Sequence, residues 1–140
     1  NKFLDTKAAG NTMVAYLLET LGIEPDAIAR VYTAGAFGAH LNLESAITIG
    51  LYPDLPRDRF VQVGNGSLKG AGLLLKNAEL LSTAENFLEK IVFLPLAEAK
   101  DFLMKMHAAK FLPHTNFELY PSVMKKLRDR GTLRLPHTKS

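Results

Sequence analysis

Two runs of small residues are the places where this sequence could do chemistry with its backbone. The first, Gly35-Ala36-Phe37-Gly38, follows the β-branched and aromatic run Val31-Tyr32-Thr33. The second, Gly64-Asn65-Gly66-Ser67, follows Phe60-Val61-Gln62-Val63 and leads on to Gly70. Glycine is favoured where a chain must take positive φ or lie close to something else. A nucleotide contact fits such a pattern, and so does tight strand-to-helix packing. Neither run is the GxGxxG dinucleotide fingerprint, since the first lacks its third glycine and Gly70 falls one place late in the second. Neither contains the GK[ST] of a P-loop.

The side chains offer less. His40, His107, His114 and His137 lack the spacing of a zinc site, so no metal is expected. Surface or capping roles are expected for them, with His114 set apart by its place between a proline and a threonine. No Ser, His and Asp arrangement and no paired carboxylates stand out, so no catalytic acid or base is assigned. Cysteine is absent, which removes disulfides, thiolate nucleophiles and cysteine-held clusters from these residues.

The elements that must position the two glycine runs follow from periodicity. Met13, Val14, Leu17, Leu18 and Leu21 keep helical spacing from Thr6 to Leu21, with Gly22 and Ile23 placed for a Schellman stop. "ARVYTAG" and "RFVQVG" read as strands ending in glycine. Between them Asn42 can cap a short helix that Gly50 ends. "LKGAGLLLK" turns helical despite two glycines, which suggests that something lies over the flat face of Gly66 and Gly70. "STAE" has capping-box spacing and predicts a helix start at Ser82. "KIVFLPLA" predicts a third strand, and a helix is expected between Glu98 and Phe111 with Met106 inward and Met104 peripheral. A last helix is expected from Ser122 to Arg130. Strands alternating with helices predict an α/β domain with a largely parallel sheet. Ligands bind such sheets beyond the carboxyl ends of the strands, where both glycine runs would lie side by side.

At 140 residues the chain holds one domain, and no apolar run is long enough to span a membrane. The start, "NKFLDTKAAG", has neither a signal pattern nor an initiator methionine, so a fragment or processed chain is expected, with a cytoplasmic home. Its net charge of +3 is uneven, with Lys125, Lys126, Arg128, Arg130, Arg134 and Lys139 against Asp129 at the end of the chain. Solvated charge is the expected role of this segment, and no nucleic acid is expected to bind.

Together "KAAGNTMVAYLLETLGI", "RVYTAGAFGAHLNLESAITIGLYPDLP", "RFVQVGNGSLKGAGLLL" and "FLPHTNFELYPSV" resemble, in this order, the C-terminal part of the reductive activators of corrinoid proteins. Those are iron-sulfur ATPases on the fold shared by actin, sugar kinases and heat-shock chaperones. The resemblance implies an RNase H-like lobe of the actin-like ATPase fold, a mostly parallel sheet flanked by helices. Residues 1–123 would form the second lobe of the ATPase domain, and 124–140 a basic C-terminal segment. It implies ATP or ADP in the parent protein, with an iron-sulfur cluster only in a region outside this chain. The implied partner is a corrinoid protein or corrinoid-dependent methyltransferase, whose Co(II) is returned to Co(I). A homodimer is also expected. Gly35, Ala36, Phe37 and Gly38 match the adenosine-contacting turn, and Gly64, Asn65, Gly66 and Gly70 the glycine-rich turn beside it. Phe37 could stack on a base or fill the core. The segment alone would be inactive, and its alternative role is a dimerisation or partner-binding module of the same fold.

Overall fold

The structure is a computed structural model that describes residues 2–96, 99 and 101–132. Two strands, β1 (Val31–Ala34) and β2 (Phe60–Gly64), pair in parallel with Val31 opposite Phe60 and Thr33 opposite Gln62. The register slips after Thr33, so that Ala34 meets Gly64 and Val63 is the extra residue of a bulge. Parallel strands need a long crossover. Here it carries α2 (Gly35–His40) and α3 (Leu43–Thr48).

The helices end and begin much as their residues dictate. In α1 (Lys2–Leu21) the Ile23 N–H reaches the Leu18 carbonyl at 2.9 Å and the Gly22 N–H reaches Glu19, which is the Schellman stop expected there. Asn42 caps α3 by accepting from the Ser45 N–H at 2.9 Å. After β2 come α4 (Gly66–Lys76) and α5 (Leu80–Leu88), then α6 (Phe102–Ala109) and α7 (Pro121–Asp129). Met106 is half-buried and Met104 exposed, as its helical face requires.

Three sequence expectations fail. Residues 91–95 form no strand, and Ile91, Val92 and Phe93 stand 69%, 78% and 85% exposed, because no other described strand pairs with them. The helix expected to start at Ser82 starts two residues earlier, and Ser82 Oγ instead donates back to the Glu79 carbonyl at 2.9 Å. The apolar stripe of α1 does not face inward: Met13, Leu17 and Leu21 are exposed, while Lys7, Ala8 and Thr12 are buried. α6 packs along α1 and covers the face that carries these smaller or polar residues.

Lys7 organises that contact. It is 1% exposed, and its Nζ donates to the carbonyls of Ala109 at 2.5 Å, Phe111 at 2.8 Å and Pro113 at 2.5 Å. The ammonium thus closes the C-terminal end of α6, where helix carbonyls lack intrahelical partners and favour a cation. Burial pushes the Lys7 ammonium down to about 8, which leaves it charged at neutral pH. The Pro113 carbonyl also explains Gly50, whose φ is 76°: a Cβ there would lie 2.2 Å from that oxygen. The Gly50 carbonyl in turn accepts from Asn11 Nδ2 at 2.9 Å and from the Tyr120 hydroxyl at 3.3 Å.

The other half of the core gathers Ile47, Tyr120 and Val123, with Leu43, Tyr52, Phe60 and Leu127 packed against them. Asp54 fixes the start of α7, accepting from the Ser122 N–H at 2.7 Å and from Arg57 at 2.8 Å. Arg57 reaches on to Glu44 at 2.7 Å. α7 crosses the division expected at residue 123, with Met124 buried beyond it and Lys126 paired to Glu44 at 3.3 Å. The remainder of the basic segment, 133–140, lies outside the described residues.

Lys7→Met strands the buried carbonyl oxygens of Ala109 and Pro113 and frees the part-buried one of Phe111, and should lower unfolding stability by roughly 2–4 kcal/mol, read from urea midpoints. A second expectation concerns pH. The hydrogen bond from Arg57 holds the Glu44 carboxyl below its ordinary 4.5. A carboxyl lowered in the folded state stabilises above its unfolded value and loses that contribution as pH falls through the folded one. Stability should therefore drop as pH falls below 4.5, and Glu44→Gln should drop less steeply over the same titration of urea midpoints.

Candidate functional site

Parallel pairing brings the carboxyl ends of β1 and β2 to one rim. A glycine in the left-handed region sits at each strand end, Gly35 just after β1 at φ 83° and Gly64 closing β2 at φ 70°, and a side chain at either would be strained. These left-handed steps turn the chain sharply out of the sheet and into α2 and α4. The Asn65 side chain caps α4 by accepting from the Leu68 N–H at 2.9 Å.

The two runs touch. A Cβ on Gly66 would lie 3.6 Å from Ala34 Cβ and 3.7 Å from Val63 Cγ1, so the start of α4 rests against the end of β1. Above Gly35, Gly64 and Gly70 the same construction meets nothing within 4 Å. Gly35 and Gly64 are therefore open patches of main chain on the rim, with Ala36 and Asn65 exposed beside them, and Gly70, one turn into α4, is open as well.

Gly38 belongs to a different category. It is buried, and a Cβ there would press on Thr33 at 3.2 Å from its Cβ and 3.3 Å from its carbonyl carbon. α2 lies that close to β1, and Gln62 Nε2 clips it in place by donating to the Gly38 carbonyl at 3.1 Å. Close packing thus accounts for Gly38, whereas no protein group described here approaches Gly70. The side chain of Phe37 lies outside the described residues, and with it the question of stacking or filling.

The electrostatics of the rim are one-sided. Residues 31–41 and 60–70 contain no carboxylate. Lys69 bends back over the end of β2, its Nζ donating to the Val63 carbonyl at 2.6 Å, and makes no ion pair among the described residues. With the N-terminus of α4 beside it, this edge favours an anionic neighbour. Among the described residues no group of three or more His, Asp or Glu is placed to hold a metal ion.

Of the histidines singled out in the sequence, His137 lies outside the described residues. His114 Nδ1 accepts from the Asn116 N–H at 3.0 Å, a capping role. What sequence reasoning missed is a groove of about 270 Å³ between α1 and the run into α7, lined by Asn11, Val14, Leu18, Leu51, Leu119 and Pro121. Its signal was present in the α1 stripe, which turns out to line this groove in part.

Substitutions should separate packing glycines from open ones. Gly38→Ala is expected to cost roughly 1–3 kcal/mol by overpacking Thr33. Gly70→Ala, in a helix with free space, should stabilise by about 0.5–1 kcal/mol. Thermal melts of the two variants check both signs.

The fold has counterparts among known proteins. The family described as the C-terminal domain of RACo, the ASKHA domain, matches residues 1–124. A solved structure titled reductive activator for corrinoid, iron-sulfur protein superposes with a TM-score of 0.79 at 38% sequence identity, covering 86% of this chain. The chain spans 19% of the length of that protein. No curated protein sequence matches. With a family match over nearly its whole length and a parallel strand pair set among helices, the chain belongs to the family of RACo C-terminal ASKHA domains.

Proposed function

We propose that this domain forms the adenosine side of a nucleotide cleft in an ATP-dependent reductive activator of a corrinoid protein. Gly35, Ala36, Phe37 and Gly38 would form one turn of that wall, and Gly64, Asn65, Gly66 and Gly70 the other. The observation that carries the reading is the open main chain at Gly35 and Gly64 on one rim, with Gly70 open one turn into α4. A flat base can rest there because no Cβ intrudes, and the carboxylate-free edge beside Lys69 tolerates phosphate. The residues present thus fit ATP or ADP. The nucleotide supplies the driving energy of the activator when bound; this chain's own residues would bind and orient it.

In the parent protein an iron-sulfur cluster, held outside these residues, would pass an electron to Co(II) corrinoid and return it to Co(I). The corrinoid protein or its methyltransferase is then the partner, and the activator works as a homodimer in the cytoplasm. No described helix is long and apolar enough to cross a membrane. A second reading, a dimerisation or partner-binding module without nucleotide, is favoured by the apolar residues left exposed on α4 and α5, among them Leu75 at 89%. Faces of that kind mark contact surfaces.

Gly35→Val is a poor test, because φ 83° strains any side chain at that position. Gly70 lies in open space, so Gly70→Leu fills the slot without disturbing the fold. In calorimetric titration of the intact protein, Gly70→Leu should weaken ADP binding at least tenfold while the melting temperature holds, about 1.4 kcal/mol of lost contact. Unchanged affinity would refute the cleft, and a wild-type protein that binds no nucleotide would favour the contact-surface reading.

A further inference from the structure

The strongest feature that the proposed cleft does not use is the connection after α6. Residues 110–116 are held by the Lys7 ammonium, which joins the Phe111 and Pro113 carbonyls to that of Ala109 at the end of α6, and by His114, whose Nδ1 accepts from the N–H two residues on. That i to i+2 contact occurs twice more among the described residues, each time with asparagine. Asn77 Oδ1 accepts from the Glu79 N–H at 3.0 Å, and Asn116 Oδ1 from the Glu118 N–H at 3.1 Å. An amide oxygen accepts at any pH, whereas an imidazole nitrogen accepts only without its proton. We propose that residues 110–116 form a proton-sensitive latch, in which a proton on His114 removes the acceptor for Asn116 and sets a second cation beside Lys7.

The surroundings leave Lys7 as the charge that acts on the ring. The titratable groups of the packed elements are Lys2, Asp5, Lys7, Tyr16 and Glu19 on α1, Lys105 and His107 on α6, and Lys110, Glu118 and Tyr120 beyond it. Lys110 is tied to Asp5 at 2.8 Å, and the Tyr120 hydroxyl accepts from Asn11 Nδ2 at 2.7 Å. Burial, and then the Lys7 ammonium, push the His114 ring below its ordinary 6.5. A ring lowered in the closed state takes its proton more readily once the latch is open. Closure is therefore favoured fully above 6.5 and is lost as pH falls through the value of the closed form.

Opening would do more than free a loop. The Pro113 carbonyl lies against Gly50, and the Gly50 carbonyl joins Asn11 on α1 to Tyr120 at the start of α7. A released latch would loosen α1, α6 and α7 together while leaving the strand pair in place.

Hydrogen exchange of the intact protein followed by mass spectrometry, corrected for intrinsic rates, tests this at pH 7.5 and 5.0. Protection over residues 110–118 should fall about tenfold in the acid sample relative to neutral, with residues 60–76 unchanged. His114→Asn restores the acceptor used elsewhere in the chain and should hold protection constant between the two pH values. Equal protection in the wild type at both pH values overturns the latch, as does a pH-dependent loss that survives in His114→Asn. Should that variant fail to fold, the wild-type ring can be titrated by NMR. A midpoint below 6.5 that coincides with the loss of protection supports the latch, and a midpoint at or above 6.5, or one that does not coincide, overturns it.

Discussion

The parallel pairing of β1 with β2 is the constraint on which the candidate site depends. Parallel neighbours cannot be joined by a tight turn, so residues 35–59 must leave the sheet, form α2 and α3, and return to start the second strand at the same end as the first. Both strands then finish together. The bulge at Val63 sets Gly64 opposite Ala34, and the two left-handed glycines turn the chain away at the same level. Bare main chain on one rim is the product of register and turn chemistry acting jointly; neither glycine run would suffice alone.

A second, independent device holds the helical layer. Lys7 acts as a charged cap for α6 and for the connection that follows, and its carbonyl partners lie more than a hundred residues along the chain. The same connection presses on Gly50, so the end of α3, the middle of α1 and the start of α7 are joined through two carbonyl groups. A buried cation of this kind specifies geometry more than it adds stability, because desolvation offsets much of what its hydrogen bonds contribute. Its effect on function would be indirect, through the frame that carries the strands.

The strand and helix ends that frame the candidate site were legible because their signals are local. A β-branched run followed by glycine marks both strand ends, and Asn42 and Gly22 mark helix ends by chemistry that needs no distant partner. Gly38 and Gly70 look alike in sequence, yet a Cβ on one would crowd Thr33 while a Cβ on the other would meet no side chain, a difference that only tertiary packing decides. The segment Ile91 to Phe93 has strand composition without a strand, since β-propensity expresses fit to a pleated neighbour and no described neighbour is there. "STAE" misled for a related reason: Asn77 accepts from the Glu79 N–H and turns the chain first, so the helix is under way before Ser82. The Lys7 clamp was invisible, because backbone carbonyls leave no mark in a sequence. The exposed stripe on α1 was read correctly as apolar and helical but assigned to the wrong side, since α6 covers the face that carries Lys7, Ala8 and Thr12.

The likeness to a reductive activator, at a TM-score of 0.79, concerns a fifth of that protein's length, so the account of this domain stands or falls on where nucleotide binds. A crystal structure of the intact protein with ADP is the most direct measurement. The account predicts the adenosine seated on the main chain of Gly35, Gly64 and Gly70. ADP bound elsewhere, with those three glycines covered by another part of the polypeptide, would contradict it.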